Sequence, residues 1–143
     1  MDSATYSIWA MPTDGLKKEL QGTIEQLAKS YGGPIFEPHV TLLGSIPHLT
    51  ETEAKKKTKE LAKVIKPYDM IFEQVLAMPE YYRALVIRMQ HTEEALGAFH
   101  AAQKVFGYTD YADHLVHMSL FYGHLMPEEK KRMSEEIFIK VGQ

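Results

Sequence analysis

The chain has no cysteine, which excludes a disulfide scaffold, thiolate metal sites and cysteine nucleophiles together. It also lacks any run of about 18 apolar residues, so no membrane span is expected. The first residues, MDSATYSIWAMP, lack a basic stretch followed by a long apolar one, so a secretion signal is not expected either. Excess positive charge is missing as well. The formal net charge is −3, which gives no field suited to long nucleic acid. There is one tryptophan, and proline, glycine and serine are scattered without forming a linker. These absences leave a soluble, cytoplasmic chain in a reducing compartment.

What is present fits one domain. At 143 residues the chain can bury a sizeable core, and its 45% apolar and 24% charged residues are ordinary for a globular protein. YSIWA ends at Pro12 and reads as a strand over 6–10. Leu16, Leu20, Ile24 and Leu27 stand at helical spacing before Gly32 and Gly33. EPHVTLLGSI reads as a second strand. Thr50 and Glu53 then have capping-box spacing before a lysine-rich helix that Pro67 ends. Strands are predicted over 70–77 and 83–89 with a turn at Pro79-Glu80, and a helix follows from Thr92 to Gly107. HLVHMSLFYG is a further strand, MPEEKKRMSEEI a fourth helix, and IFIKVGQ the start of a last strand. The order repeats with a half-chain period. It predicts an α+β, bilobal domain over 1–143, with two β-α-β lobes whose antiparallel sheets flank a central cleft.

The chemistry-bearing pattern is a histidine followed two residues later by a hydroxyl. Seven histidines and fifteen Ser plus Thr would produce it about 0.7 times by chance, yet it occurs three times. His48 and Thr50 form a decoy, because Thr50 is explained as a helix cap. The other two share a context: His39 and Thr41 in HVTLLG, His117 and Ser119 in HMSLFYG, 78 residues apart. Residues two apart in a strand share a face. Alternation therefore puts His39, Thr41 and Leu43 on one face, and likewise His117, Ser119 and Phe121.

These paired strands, with YSIWAMP, GGPIFEPHVTLLG and HLVHMSLFYGHLMPEEKK around them, resemble the 2H phosphoesterase superfamily, within it the plant and yeast type cyclic phosphodiesterases. The resemblance implies hydrolysis of ADP-ribose 1'',2''-cyclic phosphate and nucleoside 2',3'-cyclic phosphates, in RNA metabolism of the tRNA-splicing kind. It implies His39, Thr41, His117 and Ser119 as catalytic, with His117 activating water and His39 protonating the leaving oxygen. The hydroxyls would donate to the phosphate oxygens. It also implies Trp9 and Tyr122 as substrate-binding residues, although Trp9 reads equally well as a core residue of strand one. Tyr122 needs a bulge or the strand's end to reach the cleft. No cofactor and no metal are expected. Asp110, Asp113, His114 and His117 lack the spacing of a metal site. The lysines at 55, 56, 57 and 59 read as a solvated helix face. A small-molecule cyclic phosphate is the expected partner, with neither membrane nor long nucleic acid, on a monomer. Family members continue beyond the fourth helix with more strand than IFIKVGQ contains. The alternatives are an RNA-end 2',3'-cyclic phosphodiesterase or 2'-5' ligase-like enzyme, a non-catalytic nucleotide-binding module, and an interaction domain with incidental histidines.

Overall fold

A computed structural model describes residues 4–109 and 115–137. β1 (Ala4–Ala10) leads into α1 (Asp14–Tyr31), which ends at Gly32 in the left-handed conformation, φ 77°. That backbone favours glycine, and the Gly32 amide donates to the Ala28 carbonyl. β2 (Val40–Leu49) follows, then α2 (Glu51–Val64). The Thr50 hydroxyl accepts from the Glu53 amide while the Glu53 carboxylate accepts from the Thr50 amide, the reciprocal cap that the spacing predicts. β3 (Phe72–Leu76), one turn of 3-10 helix (Tyr81–Arg83) and β4 (Leu85–Met89) complete the middle of the chain. α3 (Glu93–Phe106) is capped by Thr92 and stops at Gly107. β5 (His117–Phe121) and α4 (Pro127–Glu136) close the described fold. The last expected strand falls on residues that lie outside those described, from 138 onward.

All pairings are antiparallel and the strands run β1-β2-β5-β4-β3. The predicted two lobes are present as two cores. Leu20, Ile24 and Leu27 of α1 and Met133 of α4 pack on Leu85, Ile87, Met118, Leu120 and Phe121. Ala54 and Leu61 of α2 and Ala102 and Phe106 of α3 pack on Leu43, Ile46 and Leu49. The strands of the two lobes meet in one sheet, joined through the pair Val40 and Met118. Thus the two histidine strands are neighbours at the centre of the sheet.

Two bulges depart from the predicted alternation. Between Thr41 and Leu43, β2 spends one more residue than β1, since Trp9 opposes Thr41 and Ile8 opposes Leu43. Between Ser119 and Phe121, β5 spends one more than β4, since Val86 opposes Ser119 and Leu85 opposes Phe121. An extra residue reverses the facing of everything after it. Leu43 and Phe121 therefore leave the histidine face and enter the two helix-side cores, 0% and 2% exposed. The expectation that they share a face with His39 and His117 is corrected by the same device in both lobes.

Candidate active site

The register of the central pair decides which side chains meet. Val40 opposes Met118, so carrying the antiparallel ladder one residue either way sets Thr41 beside His117 and His39 beside Ser119. All four then project from the face opposite Val40 and Met118. The two histidines are then diagonal neighbours, with a Cα separation on the order of 7–8 Å. The other two strands extend these rows. One reads Trp9, Thr41, His117, Arg88, Gln74 and the other continues from Ser119 to Val86 and Leu76. The first row is open: Thr41 and Gln74 are exposed and His117 and Arg88 half-buried. In the second, His39, Ser119 and Val86 are buried. The cleft therefore has an open wall and a closed one.

Both rings are held alike. His39 Nδ1 lies 2.7 Å from the Glu37 carbonyl, and His117 Nδ1 lies 2.7 Å from the Leu115 carbonyl. A carbonyl only accepts, so each Nδ1 carries the proton and each Nε2 is the basic nitrogen of its ring. The residue two before each histidine supplies the acceptor, a local device that recurs because both sequences enter their strands in the same way.

Their surroundings differ. The indole of Trp9 stacks on His39 with centroids 3.5 Å apart and planes 13° from parallel. His39 is 8% exposed, whereas Trp9 is 46% exposed, so the reading of Trp9 as a core residue gives way to a cover on the imidazole. Burial pulls the His39 pKa below the ordinary imidazole range, partly opposed by the carbonyl and the carboxylate of Glu37. The ring is poised neutral. Ser119 is buried and its hydroxyl donates to the Tyr82 carbonyl at 2.6 Å, so it must rotate to donate to a substrate oxygen. Thr41 is exposed and needs no such exchange.

Tyr122 reaches this side because of the β5 bulge, which turns Phe121 to the helices and Tyr122 back toward His39. Its ring stacks on Phe36 at 3.7 Å, and Phe36 meets His39 edge-on at 6.4 Å. Burial, and secondarily Tyr82, raise the Tyr122 pKa, so its hydroxyl stays protonated as a donor. Phe36 was not singled out from sequence, and lies in the loop that carries His39. That loop passes close because residue 33 is glycine: a Cβ there would come within 2.5 Å of the Phe121 ring and 3.0 Å of the Tyr122 carbonyl.

A cavity of about 690 Å³ lies elsewhere. It is lined by Val40, Leu42 and Met118 together with Leu16 of α1, Leu61 of α2 and Tyr68. Trp9 also lines it but neither His39 nor His117 does, so this cavity is not the space between the imidazoles. Among the described residues no three His, Asp or Glu side chains converge as metal ligands. Asp110, Asp113 and His114 lie outside the described residues. Lys55 pairs with Glu51 at 2.8 Å on the exposed face of α2, as a solvated helix surface would. Among the described residues no helix is long and apolar enough to cross a membrane.

Comparison with known proteins gives the family. The family model for cyclic phosphodiesterase-like proteins matches residues 4–140. A cyclic phosphodiesterase of Arabidopsis thaliana is 29% identical over 133 residues, covering 93% of this chain and 73% of that protein. The chain belongs to the cyclic phosphodiesterase-like family of 2H phosphoesterases, and is thereby an enzyme that hydrolyses cyclic phosphodiesters.

Proposed function

We propose that the enzyme opens small cyclic phosphates with paired imidazoles and without a metal. ADP-ribose 1'',2''-cyclic phosphate gives ADP-ribose 1''-phosphate, and nucleoside 2',3'-cyclic phosphates give 2'-phosphates. Such substrates arise in RNA processing of the tRNA-splicing kind. The observation that supports this reading is the shared face of His39, Thr41, His117 and Ser119, with each Nδ1 committed to a carbonyl.

Opening the ring needs three transfers. Water attacks phosphorus and loses a proton, the ribose oxygen leaves and gains one, and the non-bridging oxygens carry the growing charge. Two imidazoles whose Nε2 atoms are their basic nitrogens divide the proton transfers, each worth about 10²- to 10⁴-fold. Thr41 and, after rotation, Ser119 donate to the non-bridging oxygens. Trp9 and Tyr122 hold the organic part of the substrate, by stacking and by a phenolic hydrogen bond.

The family resemblance gives the base to His117 and the acid to His39. In the free protein burial favours neutral His39, so as an acid it must take up its proton in the substrate complex. There the phosphate anion beside the ring favours imidazolium. His39→Ala then abolishes the alkaline limb of the pH-rate profile. Loss of the acid limb instead reverses the two roles.

The reading as a whole is tested by incubating the protein in EDTA with ADP-ribose 1'',2''-cyclic phosphate and with 2',3'-cyclic AMP, following products by phosphorus NMR. Cleavage of both is expected. Activity on oligonucleotide ends alone would identify an RNA-end enzyme. Affinity for 2'-phosphonucleotides without turnover would identify a binding module.

A further inference from the structure

Arg88 stands directly across the ladder from His117 and so shares its face. It is the one charged residue in LVIRM, a strand whose other members are all buried. Glu73, in the irregular stretch of β3 between Phe72 and Gln74, is 3.1 Å from Nε of Arg88. That Nε is inaccessible to solvent and has no aligned hydrogen-bond acceptor. The pair is thus an ion pair without a well-directed bond, with both side chains 40–44% exposed. Glu73 neutralises Arg88 without consuming its fork. The 3.1 Å contact is made at Nε and not at the terminal Nη groups.

We propose that Arg88 binds a second phosphate on the substrate, the one at C5 of the ribose that bears the cyclic phosphate. The inference rests on the reading of His39 and His117 as the pair that receives the reacting phosphate. It follows from the order of side chains in the open row: Trp9, Thr41, His117, Arg88. With the cyclic phosphate between the histidines, one edge of the ribose faces Trp9 and the other faces β4. C1 and C4 flank the ring oxygen on opposite sides. A base directed toward Trp9 therefore sends C5 toward Arg88, one strand spacing of about 4.8 Å beyond His117. A guanidinium suits this position because its planar fork matches two phosphate oxygens. The ligand class is a nucleoside 2',3'-cyclic phosphate that carries a further phosphate at C5. A plain nucleoside 2',3'-cyclic phosphate lacks the group that Arg88 reads.

The test compares 2',3'-cyclic AMP with its 5'-phosphorylated counterpart, which differ only in the group concerned. The wild type should favour the 5'-phosphorylated substrate in kcat/KM by about tenfold, the low end for a charge-assisted hydrogen bond. Arg88→Gln should collapse that ratio toward one through KM. Glu73→Gln, which removes the competing carboxylate, should raise it, and Arg88→Lys should fall between. Opposite signs from two neighbouring substitutions are not expected of a merely structural pair. A ratio that stays constant across all three variants would overturn the proposal. Equal losses on both substrates would also overturn it, by showing that Arg88 acts through His117. If the wild type cleaves neither compound, the hydrolytic reading fails separately. Calorimetry with adenosine 2',5'-bisphosphate against adenosine 2'-monophosphate then tests Arg88 by the same ratio of affinities and the same variants.

Discussion

His39 and His117 are two solutions to one problem. Each enters its strand with Nδ1 on the carbonyl two residues back, and each is followed by a hydroxyl and then by a bulge. The bulges move Leu43 and Phe121 into separate cores, so each lobe is pinned by the same strand that carries its imidazole. Beyond this the halves diverge. His39 is buried under Trp9 while its hydroxyl neighbour Thr41 is open. His117 is half-buried while Ser119 is enclosed and bonded to Tyr82. Because the strands are antiparallel, each buried group faces the buried group of the other motif. The repeat supplies two rings of fixed tautomer, and the divergence gives them different environments, which division into acid and base requires.

Removing either ring tests the shared part of the comparison and carries the largest effect. His39→Ala and His117→Ala should each lower kcat for 2',3'-cyclic AMP by about 10²- to 10⁴-fold, measured under saturating substrate. Wild-type turnover in either variant would break the pairing.

The hydroxyls come next. Thr41→Ala and Ser119→Ala should each cost roughly 10- to 100-fold in kcat, below the range for a preorganised oxyanion donor because neither hydroxyl is committed to the substrate beforehand. Only Ser119→Ala should also lower stability, by about 1 kcal/mol in urea unfolding, because it leaves the Tyr82 carbonyl without its donor. Equal stability of the two variants would remove that asymmetry.

Trp9→Ala sharpens the difference between the rings. Uncovering His39 should return its pKa upward toward the ordinary imidazole value, visible in proton NMR of the free protein, and should raise KM by about tenfold if the indole also stacks on substrate. A rise in KM with an unmoved pKa would separate the two roles of Trp9.

The smallest effect is on stability. A histidine whose folded pKa is depressed binds fewer protons folded than unfolded. Its contribution is thus intact above the unfolded value near ~6.5 and is lost as pH falls through the folded one. The wild type should lose stability between neutral and mildly acidic pH, and His39→Gln should lose less over the same interval. Parallel curves would mean that the burial of His39 carries no linkage.

The motifs were legible because they are local. Strand spacing, the Thr50-Glu53 cap and the glycine stops each depend on residues within a few positions. The chain order β-α-β-α-β could be read for the same reason. The bulges were not legible, since the extra residue is defined only against a partner strand, and they turned Leu43 and Phe121 to the other face. Tyr122 shows the same dependence: its approach to the cleft needed a bulge that the sequence does not mark. Nor could spacing show that the two lobes share one sheet through Val40 and Met118, or that Trp9 rests on His39. Phe36 carried no signal beyond its place beside the first motif. Arg88 carried one, a lone charge in an apolar strand, but its meaning required the register against His117.

The most direct test of two imidazoles serving one phosphate is long-range nitrogen NMR of the histidine rings during titration with adenosine 2'-monophosphate. His39 and His117 should both appear as the tautomer protonated at Nδ1, and both Nε2 signals should move together as the phosphate binds. A proton on Nε2 in the neutral free protein, or a response from one ring alone, would contradict the account.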